Sequence, residues 1–264
     1  MKTKPSEFLI ELFLLLAIAI AVQTVYATII RPKAEAIRTA DLARMQKDPK
    51  YVPELQPWVI VKDPEQETCF IFAIWAIATM ALKSMGVARG RKLLGDDLLH
   101  LPDGMKILPE DTREYARQIE ALPSDVRGQL LPRALMTALH RFGATRNIQD
   151  VSIAARNICE VERDRLDSEL GMVRFVAWAI PAIGFIGTVR GIGESLQQAH
   201  KAVEGDVSGV VAGLGVSFNA TLVALSLSIL VMLVLHSIQL RQERLGLDVE
   251  EYVDSRVVQN LQVR

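Results

Sequence analysis

The sequence predicts an all-α, polytopic membrane protein: four transmembrane helices, with long helices running on into a cytoplasmic helical region. Three observations carry that reading. Hydrophobic residues make up 50% of the 264 residues, while the net charge is −1. Four apolar segments, Phe8–Ile30, Thr68–Val87, Val173–Leu196 and Val207–Ser237, reach or approach the ~20 residues that a helix needs to cross a bilayer. The last of them contains no Asp, Glu, Lys or Arg, and its titratable residue is His236 near the end.

The same composition excludes other classes. No basic stripe interleaved with aromatics occurs, so no nucleic-acid partner is expected. His100, His140, His200 and His236 are scattered, and with Cys69 and Cys159 they give no metal-ligand spacing. The two thiols should lie at different levels of the molecule, which argues against a disulfide. No nucleophile–base pair or phosphate loop is present. Asp96-Asp97 and Glu110-Asp111 read as solvated acids. The chain is therefore expected to be no enzyme, with no catalytic residue, no metal and no cofactor.

The elements follow in order. Residues 1–30 read as an N-terminal transmembrane helix. Lys2 and Lys4 precede the apolar run, and Val25-Tyr26-Ala27 resembles a small-residue cleavage site. The run is long for a signal peptide, however, and reads as a retained anchor. Residues 31–67 read as an outer (periplasmic) loop in which seven basic residues balance seven acidic ones. The second span, 68–87, has Glu65 and Glu67 before it, Lys83 in its last turns, and Arg89, Arg91 and Lys92 after it. Its C-terminal end should therefore face the cytoplasm. Residues 88–172 become a cytoplasmic helical region, 173–197 the third span, 198–206 a short outer loop, 207–238 the fourth span, and 239–264 a cytoplasmic tail. This places the N-terminus inside, as Lys2 and Lys4 prefer. Arg31, Lys33 and Arg38 on the outer side resist it, and a first segment that does not span is the alternative.

In the cytoplasmic region, Glu110–Leu122 predicts a short helix, broken at Pro123-Ser124-Asp125 with Ser124 as N-cap. From Ala144 onward, Ile148, Val151, Ala155, Ile158, Leu166 and Leu170 step at helical spacing opposite a charged face. No breaker intervenes before Gly171, so a long helix should lead into the third span. The fourth span, at about 1.5 Å per residue, exceeds the ~30 Å hydrocarbon core and should protrude as well.

The functional pattern sits in the last two spans. Pro181, Gly184, Thr188, Gly191 and Ser195 recur at steps of three and four, backed by Ile183, Phe185, Ile186, Val189 and Ile192. Gly213, Ser217, Thr221, Ala224 and Ser228 repeat the spacing on the next helix. A small, faintly polar face fits a close helix contact or a narrow water-lined path. Thr188 and Thr221 can bond back to the carbonyls of Gly184 and Ser217, or present hydroxyls to such a path. Gly187-x-x-x-Gly191 and Gly209-x-x-x-Gly213 are helix-packing motifs, compatible with both readings. Pro181 should kink its helix, as a fixed bend or as a hinge.

Arg190 needs compensation, because a mid-bilayer arginine costs about 2.5–3.5 kcal/mol or more. Glu194, one turn on, is the preferred partner in an outer-mouth charge pair. Lipid phosphate and a binding partner are the alternatives. Asn219 lies across its helix from Thr221 and is expected to bond a neighbouring helix. Neither of the last two spans carries a titratable group at mid-depth. If the chain conducts an ion coupled to protons, a partner must bring the carboxylate.

Gly184-Phe185-Ile186-Gly187-Thr188-Val189-Arg190-Gly191 resembles the G-x-x-G-T-x-x-G signature of the MotA/TolQ/ExbB proton-channel family, and Asn219-Ala220-Thr221-Leu222-Val223-Ala224-Leu225 is similar to the threonine-bearing segment of its last helix. The resemblance covers roughly 68–245. Arg190 departs from it, since that position is commonly apolar or aromatic. Four spans would match the MotA layout, against three in TolQ and ExbB. The resemblance implies a channel-forming subunit of an ion-driven motor in the bacterial inner (cytoplasmic) membrane. It implies a homopentamer around a dimer of single-span partners like MotB, TolR or ExbD, which supply an aspartate. The transported ion would be H+ or Na+, with Thr188, Thr221, Ser217, Gly184 and Ala224 on its path. Pro181, Gly187, Gly191 and Gly213 would serve packing and the hinge. The alternative is a non-conducting scaffold assembled through glycine-rich packing.

Overall fold

The computed structural model describes residues 5–47, 51, 56–102 and 105–263. Lys2 and Lys4, which bear on topology, lie outside them. Among the described residues the chain is helical, without a strand. The elements are α1 (Pro5–Val25), a π-turn (Tyr26–Ile30), α2 (Arg31–Lys47), α3 (Pro57–Ile60), α4 (Pro64–Lys92), α5 (Thr112–Glu120), α6 (Ser124–Arg127), α7 (Leu130–Thr145), α8 (Ile148–Glu169), α9 (Gly171–Gln197), α10 (Ala199–Val203) and α11 (Ser208–Arg256). Four stretches among these residues are long and apolar enough to span: Leu9–Met45, Pro64–Gly95, Ile148–Gln197 and Ser208–Asn260. The expected all-α, four-span class is what the chain adopts.

The expected loop at 31–67 needs correction. Its first half continues the first helix as α2, and α3 adds a further turn. Pro32 has no N–H, and its ring crowds the carbonyl four residues back. The π-turn just before it widens the helix where that misfit falls, so the helix passes through instead of ending. Two of the basic residues that blurred the charge signal have partners. Arg31 bonds Glu67 at 2.7 Å, and Lys33 lies 4.4 Å over the Trp58 ring.

The chain forms two compact units. One holds the residues up to Met80 together with Met172–Leu235. In it, α4 opens with one half of a capping box: the Asp63 N–H donates to Gln66 Oε1 at 2.8 Å. Trp75 Nε1 donates to the Glu11 carbonyl at 3.0 Å, tying α4 to α1. Small residues fill the interior, among them Ala73, Ala76, Ala220 and Ala224, whereas Phe13, Trp178, Phe185, Phe218 and Ile229 face outward. Apolar outside and small inside is the distribution that lipid or neighbouring subunits require. The expected short loop 198–206 contains α10, and Asp206 then caps α11 by accepting the Ser208 N–H at 3.0 Å.

The other unit holds Ala81–Gly171 and the chain from His236 on. Leu131, Leu135, Leu139, Phe142, Val151, Cys159, Val249 and Val253 form its core. The charged face of α8 pairs outward, Arg133 with Glu162 at 2.7 Å and Arg156 with Glu250 at 2.9 Å. The helix expected from Ala144 starts later, at Ile148. Arg146 takes a left-handed backbone (φ 53°) and Asn147 caps by accepting the Gln149 N–H at 3.0 Å. Ser124 is the first residue of α6, with Pro123 at its cap. Cys69 and Cys159 are buried free thiols in different units.

Phe142→Ala should lower the stability of the full chain by about 3–5 kcal/mol, because it opens a cavity in a closed core. Val161→Ala removes a side chain that is 62% exposed and should change little. Thermal unfolding of the detergent-solubilised protein measures both.

Candidate functional site

Small residues let the backbones of α9 and α11 approach closely. A Cβ on Gly191 would stand 2.6 Å from the Gly213 carbonyl oxygen and 2.8 Å from the Ser217 nitrogen. Gly184 faces Ala224 and Ala220, and Gly187 faces Ala220. Gly184, Gly187, Thr188, Gly191 and Ser195 of α9 each meet a counterpart on α11, so the two predicted stripes face one another.

Hydroxyls close this seam. Ser195 Oγ donates to the Gly191 and Val210 carbonyls, at 2.9 and 3.0 Å. Ser217 Oγ contacts the carbonyls of Thr188 at 3.0 Å and Gly213 at 3.1 Å. Thr188 Oγ1 bonds back to Gly184 O at 3.2 Å and reaches Ser217 O at 3.3 Å. It also meets the hydroxyl of Thr221. The two threonines, one from each helix, are thus paired, and both are half-buried.

Pro181 has a partner arrangement of its own. A proline at 181 cannot donate to the carbonyl of Ala177, four residues earlier. That carbonyl accepts the Ser228 hydroxyl of α11 at 3.1 Å. Just before the proline, the Ile180 carbonyl accepts the Cys69 thiol of α4 at 3.6 Å. The gap that Pro181 leaves in the hydrogen-bond ladder of α9 is therefore answered from a neighbouring helix, as membrane burial demands.

Arg190 extends the expected pair. Its Nη1 bonds Glu194 at 2.8 Å, as anticipated. Its Nε and Nη2 form a bidentate pair with Glu65 at 2.7 and 2.9 Å, and Asp63 lies 3.9 Å away. Glu65 and Asp63 escaped the sequence reading as site residues, because helical spacing finds partners along one helix and not across two. The signal was the acidic start of the second span, taken there as a topology mark. Glu65 also packs on Gly187, its Cγ 3.3 Å from where a Cβ would be. Burial pushes the Asp63 carboxyl above the usual carboxylate range, against the pull of Lys62 and Arg190.

Beside this cluster is a recess of about 670 Å³ whose wall includes Arg38, Asp41, Lys62, Asp63, Arg190 and Glu194. Gly213 and Asn219 also line it. Asn219, expected to bond a neighbouring helix, instead forms part of this wall.

These features define a class: a multi-pass helical membrane protein whose last two long helices meet along a hydroxyl-bearing seam of small residues. Residues 127–251 match the MotA/TolQ/ExbB proton channel family. Its members are channel-type membrane proteins of energy-transducing complexes that work with partner proteins. The matched region contains both threonines, Pro181 and Arg190, and leaves Asp63 and Glu65 outside. No curated protein and no solved structure matches the chain.

Gly191→Ala should force α9 and α11 apart at a cost of about 1–3 kcal/mol, since the new methyl meets backbone. Gly193→Ala points into open space and should be neutral. Thermal stability of the purified chain separates the two variants.

Proposed function

We propose that this chain is the channel-forming subunit of an ion-driven motor complex, with Thr188 and Thr221 beside the ion path. The observation that carries the reading is the paired hydroxyls on two charge-free helix faces, set inside the matched family domain. Hydroxyl oxygens can order water or replace part of a hydration shell, but neither threonine can store a proton near neutral pH. A single-span partner like MotB, TolR or ExbD supplies the titratable aspartate. Five copies of this chain surround two such partners, and protonation of the aspartate drives stepwise rotation. Ser217, Gly184 and Ala224 complete the seam around the threonines, and Pro181 provides the bend. The end of the bundle bearing Arg190 is the outer mouth, the unit around Phe142 is cytoplasmic, and the complex sits in the bacterial inner membrane. No bond-making chemistry is involved.

The test is a pH-jump flux assay in liposomes with the chain co-purified with its single-span partner. Flux should appear with the partner present. It should fall by about tenfold or more in Thr188→Val/Thr221→Val, which keeps shape and removes the hydroxyls. Flux indifferent to the double substitution, in a complex that still assembles, would leave the seam as helix packing.

A further inference from the structure

The groove between α8 and α11 holds an excess of one charge. A recess of about 560 Å³ there is edged by Glu160, Asp164, Asp167 and Glu243 against a single base, Arg163. A second recess, of about 490 Å³, adds Glu250, Glu251 and Asp254 against Arg156. The two share Leu247, which is 54% exposed. Arg156 pairs with Glu250 at 2.9 Å, and Arg163 stands 3.9 Å from Glu160. Asp164, Glu243 and Glu251 have no ion-pair partner among the described residues. A chain whose net charge is −1 therefore concentrates acid along this groove.

The wall of the first recess also makes the opposite demand. Gln242 lines it, is 4% exposed, and its Nε2 has no hydrogen-bond partner. A buried donor without an acceptor costs about 1–3 kcal/mol, so what this position lacks is an oxygen brought from outside. A metal ion could answer the carboxylates but not the amide. A peptide answers both, with its backbone carbonyls and its Lys or Arg side chains. We propose that the α8–α11 groove docks a basic segment of the single-span partner, the flank on the cytoplasmic side of that partner's span. The inference rests on the channel reading above.

Position and length favour that occupant. The charge-free run of α11 ends at Ser237, and the first recess begins two residues on, at Gln239. On the other wall, Asp167 stands four residues before Gly171, where α9 begins. Along both helices the groove thus starts within about one turn of a span. A single-span protein carries its Lys/Arg excess on the cytoplasmic flank, within about 15–20 residues of the span. From Gln239 to Asp254 the α11 wall is about 22 Å long at ~1.5 Å per residue, room for about four helical turns of such a flank. Leu247 lies midway, an apolar contact between two acidic ends. The docked segment should therefore be basic on either side of an apolar residue.

The experiment places a benzophenone-bearing photo-crosslinking residue at Leu247 of the full chain, produced in membranes together with its single-span partner. Mass spectrometry should map the adduct to the partner, within about 15–20 residues of the cytoplasmic end of its span. Asp164→Lys/Glu243→Lys should cut the adduct about tenfold, and replacing two basic residues of the mapped flank by glutamate should restore it. Gln242→Leu should cut it about threefold without lowering thermal stability, because the lost amide nitrogen had no acceptor within the chain. An adduct only with a second copy of this chain or with a soluble protein, no adduct in a complex that assembles, or a yield indifferent to these substitutions each overturns the inference. Ion flux through the same complex then keeps the channel reading. An adduct without flux keeps the docking site and removes the channel, and a partner that fails to co-purify overturns both.

Discussion

Everything in the membrane unit depends on how closely the backbones of α9 and α11 approach. Hydrocarbon offers no hydrophobic drive between helices, so their association rests on packing and on hydrogen bonds that lipid cannot supply. Gly184, Gly187, Gly191 and Gly213 remove the side chains that would hold the helices apart. Ser195, Ser217 and Thr188 then reach carbonyls on the opposite helix. A hydroxyl that bonds across the seam satisfies itself without water, so the same residues that lock the helices also place oxygens along them.

The second constraint is electrostatic. A guanidinium among apolar helices has to be compensated locally. Arg190 achieves this with a bidentate carboxylate from α4 and a second carboxylate one turn along α9. The acidic first turn of α4 thus has two roles. Its charges favour a helix N-terminus, and they anchor α9 against α4. The Arg31–Glu67 pair does the same between α2 and α4. The first-span helix, although outside the matched family region, is thus tied to α4 by this ion pair and by the Trp75–Glu11 hydrogen bond.

The spans and their small-residue faces were legible because hydropathy and helical spacing are properties of the sequence alone. Gly184, Thr188 and Gly191 could be placed on one face by counting, and so could Ser217, Thr221 and Ala224. That the two faces meet each other is what the structure adds. What escaped were relations between helices distant in sequence: Glu65 with Arg190, Ser228 with the carbonyl freed by Pro181, Cys69 with Ile180. The stretch after residue 31 was misread because charge was taken for loop. Polar residues at helical spacing continue a helix unless something ends it, and the π-turn removed the one obstacle, Pro32. At Arg146 the opposite occurred: a left-handed residue with no glycine to announce it ended α7 inside an unbroken pattern.

The Ser228–Ala177 bond has a consequence for biogenesis. On its own, α9 would expose the carbonyl freed by Pro181 to lipid, at a cost of several kcal/mol. The donor that answers it lies on the last span, which leaves the ribosome after α9 is complete. Until α11 arrives, the third span is an unfinished object, its freed carbonyl left to water or to other protein. Insertion of the final helix therefore completes its neighbour's backbone, and the two spans mature as one unit.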